Sequence, residues 1–382
     1  MTEKLFYDDS HRVEFTAEVL SCEPWKNQYK IVLDRTVFFP EGGGQYADTG
    51  ELNGVRVTDV HEKDGVIFHT ADAPLKEGET VAGSINWEER FEKMQQHTGE
   101  HIVSGLVNAR FGYHNVGFHL GGDYCTMDFD GVLTKEELKE IEFAANEAVW
   151  KDLEVEVEFP PKDVLEEMEY RSKIEIEAQV RIVTVPGYDV CACCAPHVKK
   201  TGEIGLIKLV NMIHYKGGVR ITMLCGARAL RDYGRKDENI KEISTLLCAK
   251  ELEAAEAVKH LKAEQESLKG KCAALRQKLL SVQAGEGPVE DGIAAVFDPD
   301  LEGSGPRELM NLLLDRGATV CAVFAGTDED GYRYVIGSRT KDVRPLSREL
   351  NEAFSGRGGG KPGMVQGTLC GCEEEIRGKL LL

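Results

Sequence analysis

At 382 residues, 42% of them hydrophobic, the chain is too long for one ordinary core and carries enough apolar residues for two or three. Its 66 acidic against 46 basic residues give a formal net charge of -20, which excludes a uniformly basic nucleic-acid binder and leaves any polyanion to a local strip. Eleven cysteines, odd in number and mostly scattered, make no disulfide framework, and no stretch has the apolar length of a signal peptide or a membrane span, so a reduced, cytoplasmic protein without membrane contact is expected.

From Leu5 to about Ile85, short alternating runs such as Phe15-Thr16-Ala17-Glu18-Val19-Leu20 and Tyr29-Lys30-Ile31-Val32-Leu33 are punctuated by Gly, Asn and Asp turns. This pattern predicts a small, barrel-like β domain over residues 1–85. Inside it, Glu41-Gly42-Gly43-Gly44-Gln45 offers backbone that can turn tightly or lie against a ligand. The next region, 86–235, opens with Asn86 as a helix cap and Glu89 three residues on, after which Arg90, Phe91, Met94, His97, His101, Ile102 and Leu106 recur at helical spacing. Strands holding Gly117 to Gly122 and Cys125 to Phe129 follow, then a helix from Lys135 to Lys151 capped by Thr134, with Asn146 expected to face a pocket. A strand at Glu154 to Phe159 ends at Pro160-Pro161; a strand at Arg181 to Val185 and a hairpin of Glu203 to Val210 with Gly218 to Leu224 complete an α/β-sandwich core.

Residues 236–283 shift to Glu, Lys, Ala and Leu, with Ile240, Leu247, Ala254, Leu261, Leu268, Leu275 and Val282 spaced by seven. This predicts a coiled-coil-like helix, or a helical hairpin turning at Gly270, that packs within the chain or pairs two copies into a homodimer. Ala284 to Asp291 reads as a linker, and 284–382 alternates strands and helices as a small α/β domain. Its late Gly356-Arg357-Gly358-Gly359-Gly360-Lys361-Pro362 reads as a glycine loop able to hold a phosphate. The whole is expected to be α+β.

Two remote segments carry the chemistry. His97 and His101, four apart on the predicted helix, share one face, and Cys193 with His197 adds a thiolate and a third imidazole. Three nitrogens and a sulfur form the soft tetrahedral set that Zn2+ favours. With four ligands kept, the ion is structural or orients a substrate; with one displaced, it activates water. His114, His119 and His214 are expected to be structural or surface residues rather than further ligands. The local basic strip is Lys199, Lys200, Lys208, Lys216, Arg220, Arg228, Arg231, Arg235 and Lys236.

In order along the chain, Thr36-x-Phe38-x-Pro40-Glu41-Gly42-Gly43-Gly44-Gln45, Gln96-His97-Thr98-Gly99-x-His101, Cys193-x-x-x-His197 with Gly202-Glu203-Ile204-Gly205, and Gly358-Gly359-Gly360-Lys361-Pro362 resemble the editing half of alanyl-tRNA synthetase. Nearly the whole chain is similar to the long form of the freestanding AlaX-type alanyl-tRNA editing proteins, which joins an editing core, a helical linker and a C-terminal DHH-associated domain. One departure stands out: Cys194-Ala195-Pro196 replaces the family's glycines and threonine, so Cys191 and Cys194 are competing thiolates. The resemblance implies zinc-dependent deacylation of mischarged tRNA(Ala), chiefly its seryl ester with the glycyl ester second. It implies no aminoacylation, since the synthetase's catalytic region has no counterpart before Thr36. Glu41 and Gln45 would then line the ester pocket, Thr36 or Thr98 would bond a serine hydroxyl, and Lys199, Lys200, Arg220, Arg357 and Lys361 would meet RNA phosphates. A zinc-stabilised tRNA-binding module without turnover, and a zinc hydrolase of another acyl substrate, remain alternatives.

Overall fold

The computed structural model describes residues 1–172, 179–286, 289–290 and 292–380. They form an α+β protein of two units, Met1–Glu242 and Ile243–Leu382.

In the first unit the alternation read from the sequence becomes a closed barrel. Strands Glu14–Trp25, Gln28–Leu33, Val66–Ala71, Val55–Lys63, Gly50–Leu52 and Thr80–Ile85 follow one another around it in that order. Phe15, Ala17 and Val19 point inward from the first strand, and Ile31, Leu33, Leu52, Val57, Val60, Ile67 and Val81 fill the interior without solvent exposure. Closure leaves no unpaired strand edge. A buried polar pair sits among them. His69 Nδ1 donates to the Ile31 carbonyl at 3.1 Å, so its Nε2 accepts from the Thr36 hydroxyl at 2.9 Å. Burial pushes the His69 ring down to about 4, which keeps it neutral and fixes those roles.

The barrel is clamped onto the helix that follows. Helix Trp87–Phe111 starts at Asn86, whose side chain accepts from the Glu89 N–H, and stops at Gly112, where φ is 72°. Its first turn presents Arg90, fully buried, to Asp48 of the barrel: Nε lies 3.0 Å from both carboxylate oxygens, and Nη2 bonds Asp48 and, at 2.7 Å, the Val37 carbonyl. One turn on, Lys93 donates to the Ala47 carbonyl at 2.7 Å.

The remainder of this long helix packs on a four-stranded antiparallel sheet, ordered Ile207–Tyr215, Gly218–Cys225, Cys125–Phe129 and Asn115–Leu120, and on helix Lys135–Trp150. Thr134 and Glu137 form a complete capping box at the start of the latter. Asn146 does not face a pocket: its side chain donates to the Ile207 carbonyl at 2.8 Å and accepts from the Ile207 N–H at 2.9 Å, pinning the start of that strand. A smaller sheet of Glu156–Glu158, Ile182–Val185 and Asp189–Ala192 delivers the loop that begins at Cys193.

Helix Gly226–Leu247 ends at Cys248, whose φ is 49°, and after a short turn at Glu251–Glu253 helix Ala254–Glu286 begins. The turn is thus near Cys248, not at Gly270. The cost of one interior glycine, about 1 kcal/mol, is outweighed by the Lys, Ala and Leu around it. The expected linker at 284–291 opens as the last turn of this helix, and its residues 287, 288 and 291 lie outside the described residues.

The second unit holds a six-stranded sheet ordered Val289–Glu290, Ile293–Phe297, Val320–Thr327, Gly331–Gly337, Met364–Leu369 and Arg357–Lys361, with helices Gly305–Asp315, Arg344–Ala353 and Glu373–Leu380. The expected phosphate loop is therefore an edge strand. A Cβ at Gly358 would stand 2.4 Å from the Tyr334 hydroxyl, and one at Gly367 would stand 2.4 Å from the Arg357 carbonyl. The glycines permit close backbone approach within the sheet and do not form a cradle.

Candidate metal centre and its cavity

Strand and helix periodicity bring the four ligand candidates together. His97 and His101 project from one face of the long helix, and Cys193 and His197 from the loop after strand Asp189–Ala192. The ligand atoms of all four lie within 4.8 Å of one another. Cys193 Sγ is 3.5 Å from His97 Nε2 and 3.4 Å from His197 Nε2. Ligands about 2.0 and 2.3 Å from a tetrahedral ion must stand about 3.6 Å apart, so the spacing fits a small divalent ion.

His97 and His197 are held from behind by hydrogen bonds, and His101 stands at ion-pair distance from a carboxylate. His97 Nδ1 donates to Gln45 Oε1 at 3.1 Å, His197 Nδ1 contacts Thr98 Oγ1 at 3.0 Å, and His101 Nδ1 lies 3.0 Å from Asp189 Oδ2. These contacts leave the Nε2 lone pairs for the ion, the arrangement by which outer partners orient metal-binding histidines. Asp189 is itself gripped by Arg171 at 2.6 and 2.9 Å. Burial would raise its carboxyl, but the His101 ring and the Arg171 guanidinium outweigh this and hold it below the usual range. Burial likewise acts to raise the Cys193 thiol, yet the His97 and His197 rings and the hydrogen bonds from His101 and His197 hold it well below the ordinary value. His197 is pushed down to about 3, by burial first and then by the charge of His101. Burial acts to lower the His101 ring, but Cys191, Asp189 and Cys193 hold it well above its ordinary value, so metal binding, which takes a thiolate and neutral imidazoles, would displace the His101 proton.

Of the competing thiolates, Cys191 groups with His101 and Asp189 but not with the other three ligands, and Cys194 belongs to neither group. Cys194 is exposed to solvent. His114, His119 and His214 are exposed and stand in no metal-capable group among the described residues.

A cavity of about 840 Å3 opens beside the cluster, lined by His97, His101, Cys193, Cys194, Gly43, Gly44, Phe118, Tyr7 and Arg181 among others. Gly43 and Gly44 form a two-residue turn with φ of 60° and 79°, closed by reciprocal 3.0 Å bonds between Gly42 and Gln45. A Cβ on Gly44 would meet Phe118 at 2.9 Å. The glycine segment is thus both a tight turn and cavity wall. Gln45 and Thr98 lie behind that wall, buried, as supports of His97 and His197. Thr36 sits in the barrel interior on His69. Glu41 is exposed, with His61 3.9 Å away, and does not line the cavity.

The expected RNA contacts divide in two. Lys199 pairs with Asp9 at 2.9 Å, Lys200 with Asp152 at 3.9 Å, and Arg220 with Asp128 at 2.6 Å, and Lys208, Arg228 and Arg231 also have acidic partners. Arg357 and Lys361 are exposed on the edge strand and make no ion pair among the described residues. Asp189 and Arg171 were not singled out in the sequence, although alternation along the strand puts Asp189, Cys191 and Cys193 on one face.

Asp189→Asn tests the support of His101. Affinity for a divalent metal ion, read by chelator competition, is expected to fall about 10- to 100-fold with the fold intact.

Residues 4–89 match the family described as tRNA synthetases class II (A), and residues 180–226 match the threonyl and alanyl tRNA synthetase second additional domain. The first match spans the barrel and the second the segment that carries Cys193 and His197. Over 98% of its length the chain is 28% identical to the alanyl-tRNA editing protein AlaX-L of Pyrococcus horikoshii, of which it covers 96%, and it is AlaX-like. It is also 30% identical to the alanine–tRNA ligase of Ignicoccus hospitalis, with 98% of this chain and 42% of the ligase aligned. With that of Halobacterium salinarum the identity is 34%, over 88% of this chain and 38% of the ligase. The chain spans about two fifths of the length of the ligases it matches. Among the described residues no helix is long and apolar enough to cross a membrane.

Proposed function

We propose that the protein is a cytoplasmic trans-editing hydrolase that deacylates mischarged tRNA(Ala), chiefly the seryl ester and secondarily the glycyl ester, at a zinc centre held by His97, His101, Cys193 and His197. The observation that carries this reading is the convergence of three imidazoles and one sulfur, at tetrahedral ligand spacing, on the wall of a cavity. Similarity over nearly the whole chain to an alanyl-tRNA editing protein supports it. The nitrogen and sulfur set suits zinc above harder ions.

Bound there, zinc would supply Lewis acidity and positive charge beside the ester. The chain's own residues do the rest. Gln45, Thr98 and Asp189 fix the three rings. The N–H groups of Gly43 and Gly44, on the cavity wall, make no hydrogen bond among the described residues and are the donors at hand for a developing oxyanion. An aminoacyl ester is already activated, so orienting water and stabilising that charge suffices.

Thr36 and Thr98, whose hydroxyls are already engaged, do not offer a free partner to a serine hydroxyl. Gln45 Nε2 is buried without a partner.

Single-turnover deacylation of seryl-, glycyl- and alanyl-tRNA(Ala), with metal analysis of the same sample, tests the proposal. Stoichiometric zinc and rates falling from seryl through glycyl to alanyl are expected. Tight tRNA binding with the ester left intact would make the protein a binding module, and small-ester hydrolysis indifferent to tRNA(Ala) would make it a general acyl hydrolase.

A further inference from the structure

Every other arginine that borders the first unit's working core has a carboxylate: Arg90 has Asp48, Arg171 has Asp189, Arg220 has Asp128 and Arg228 has Glu92. Arg181 has none among the described residues. It is only 6% exposed, lies over the Tyr7 ring at 5.2 Å, and lines the cavity beside the cluster. Its Nη1 donates to the carbonyls of Cys193 and Ala195 at 2.8 and 2.9 Å. That leaves the Nε and Nη2 edge, the fork that grips an anion bidentately, without a partner among the described residues, and Nε is buried.

Two carbonyls satisfy N–H groups but do not neutralise a charge, and buried cations are retained where an opposite charge meets them. The cavity wall offers no carboxylate among the described residues, and Lys4, the other ammonium or guanidinium on it, is already paired with Glu62 at 2.7 Å. Beside Arg181, Cys193 is committed to the metal set and Tyr7 meets the guanidinium with its ring face. Among the described residues no carboxylate answers the Arg181 charge, so its unpartnered Nε is open to an anionic group of a ligand in the cavity. On the proposed reading, which this inference rests on, the ligand is an aminoacyl ester of a terminal ribose and has no free carboxylate. The anion nearest its reacting bond is the phosphate on the 5′ side of that ribose. Tyr7, Phe118 and Phe159 on the same wall provide flat apolar faces for the attached base.

We infer that Arg181 receives the 5′ phosphate of the terminal nucleotide, registering the ester against the metal cluster as well as holding the Cys193 loop.

The first measurement needs no variant. In calorimetry at low salt the intact protein is expected to bind adenosine 5′-monophosphate at least about tenfold more tightly than adenosine, a difference of about 1.4 kcal/mol. Equal affinity for the two would overturn the inference, and inorganic phosphate binding as tightly as the nucleotide would reduce the site to a general anion pocket. Arg181→Met, checked for fold and zinc content, is expected to bind both nucleosides alike, and Arg181→Lys to restore part of the preference. In kinetics Arg181→Met should lower kcat/KM for seryl-tRNA(Ala) at least about tenfold more than for seryl-adenosine, which lacks the phosphate. An equal loss on both substrates, or loss of zinc, would assign Arg181 to loop support alone. Should the wild type hydrolyse no aminoacyl-tRNA while still preferring the nucleotide, the editing proposal fails and the phosphate site stands.

Discussion

Cys193→Ala and His101→Ala are expected to give folded proteins that lose zinc to mild chelators and deacylate seryl-tRNA(Ala) more than about a hundredfold more slowly than the wild type. Removing a group behind a ligand commonly costs about 10- to 100-fold, and these substitutions remove the ligands themselves. His101→Ala should be the more damaging, because it also strands the buried Asp189–Arg171 pair that the ring abuts. Cys191→Ala and Cys194→Ala serve as controls. Neither residue belongs to the four-membered set, so zinc content should not change. Undiminished hydrolysis by a folded, zinc-free His101→Ala protein would remove the metal from the mechanism.

The ligand set was legible because it obeys local periodicity. His97 and His101 stand four positions apart on one helix, and Cys193 and His197 four positions apart on one loop, so each pair is visible in the spacing. What stands behind the ligands was harder to read. Thr98 follows His97 directly, and neighbours on a helix point about 100° apart, so a threonine beside a ligand cannot share its face. It turns instead to His197, 99 residues away. Gln45 was identified as a site residue, but as cavity lining; the two-residue turn at Gly43 and Gly44 sends it inward to His97 and leaves Glu41 in solvent. Asp189 announced itself only through strand alternation with Cys191 and Cys193.

The same distinction explains the basic strip and the glycine run. A list of lysines and arginines shows where positive charges fall along the chain but not which acids face them, and the partners of Lys199, Arg220, Lys208 and Arg228 come from positions 9, 128, 142 and 92. Gly358 to Gly360 resemble a loop in composition, yet the determinant is Tyr334 and strand Met364–Leu369, which leave no room for a side chain at Gly358 or Gly360. Closure of the barrel is likewise a property of strand order, which alternation along each strand cannot reveal, although the alternation itself marked the inward faces correctly.

Arg90→Leu is expected to destabilise the first unit by about 3–5 kcal/mol, read as a lower urea midpoint at unchanged slope. Both partners of the Arg90–Asp48 pair are essentially inaccessible to solvent, and Arg90 also serves the carbonyls of Val37 and Ser10. Removing the guanidinium leaves a buried carboxylate that still accepts from the Phe39 N–H but has lost its counter-charge. Asp48→Asn alone should cost less, because the amide is neutral while the arginine keeps its two carbonyl partners. The double variant Arg90→Leu with Asp48→Asn should recover part of the single-variant loss, since no uncompensated carboxylate remains, and a double-mutant cycle reads that coupling directly. Zinc affinity should weaken along with stability in Arg90→Leu, because this pair joins the barrel carrying Gln45 and the glycine turn to the helix carrying His97 and His101. Arginine variants with an unchanged urea midpoint and unchanged zinc affinity would show that the barrel is held on the helix by its apolar contacts alone.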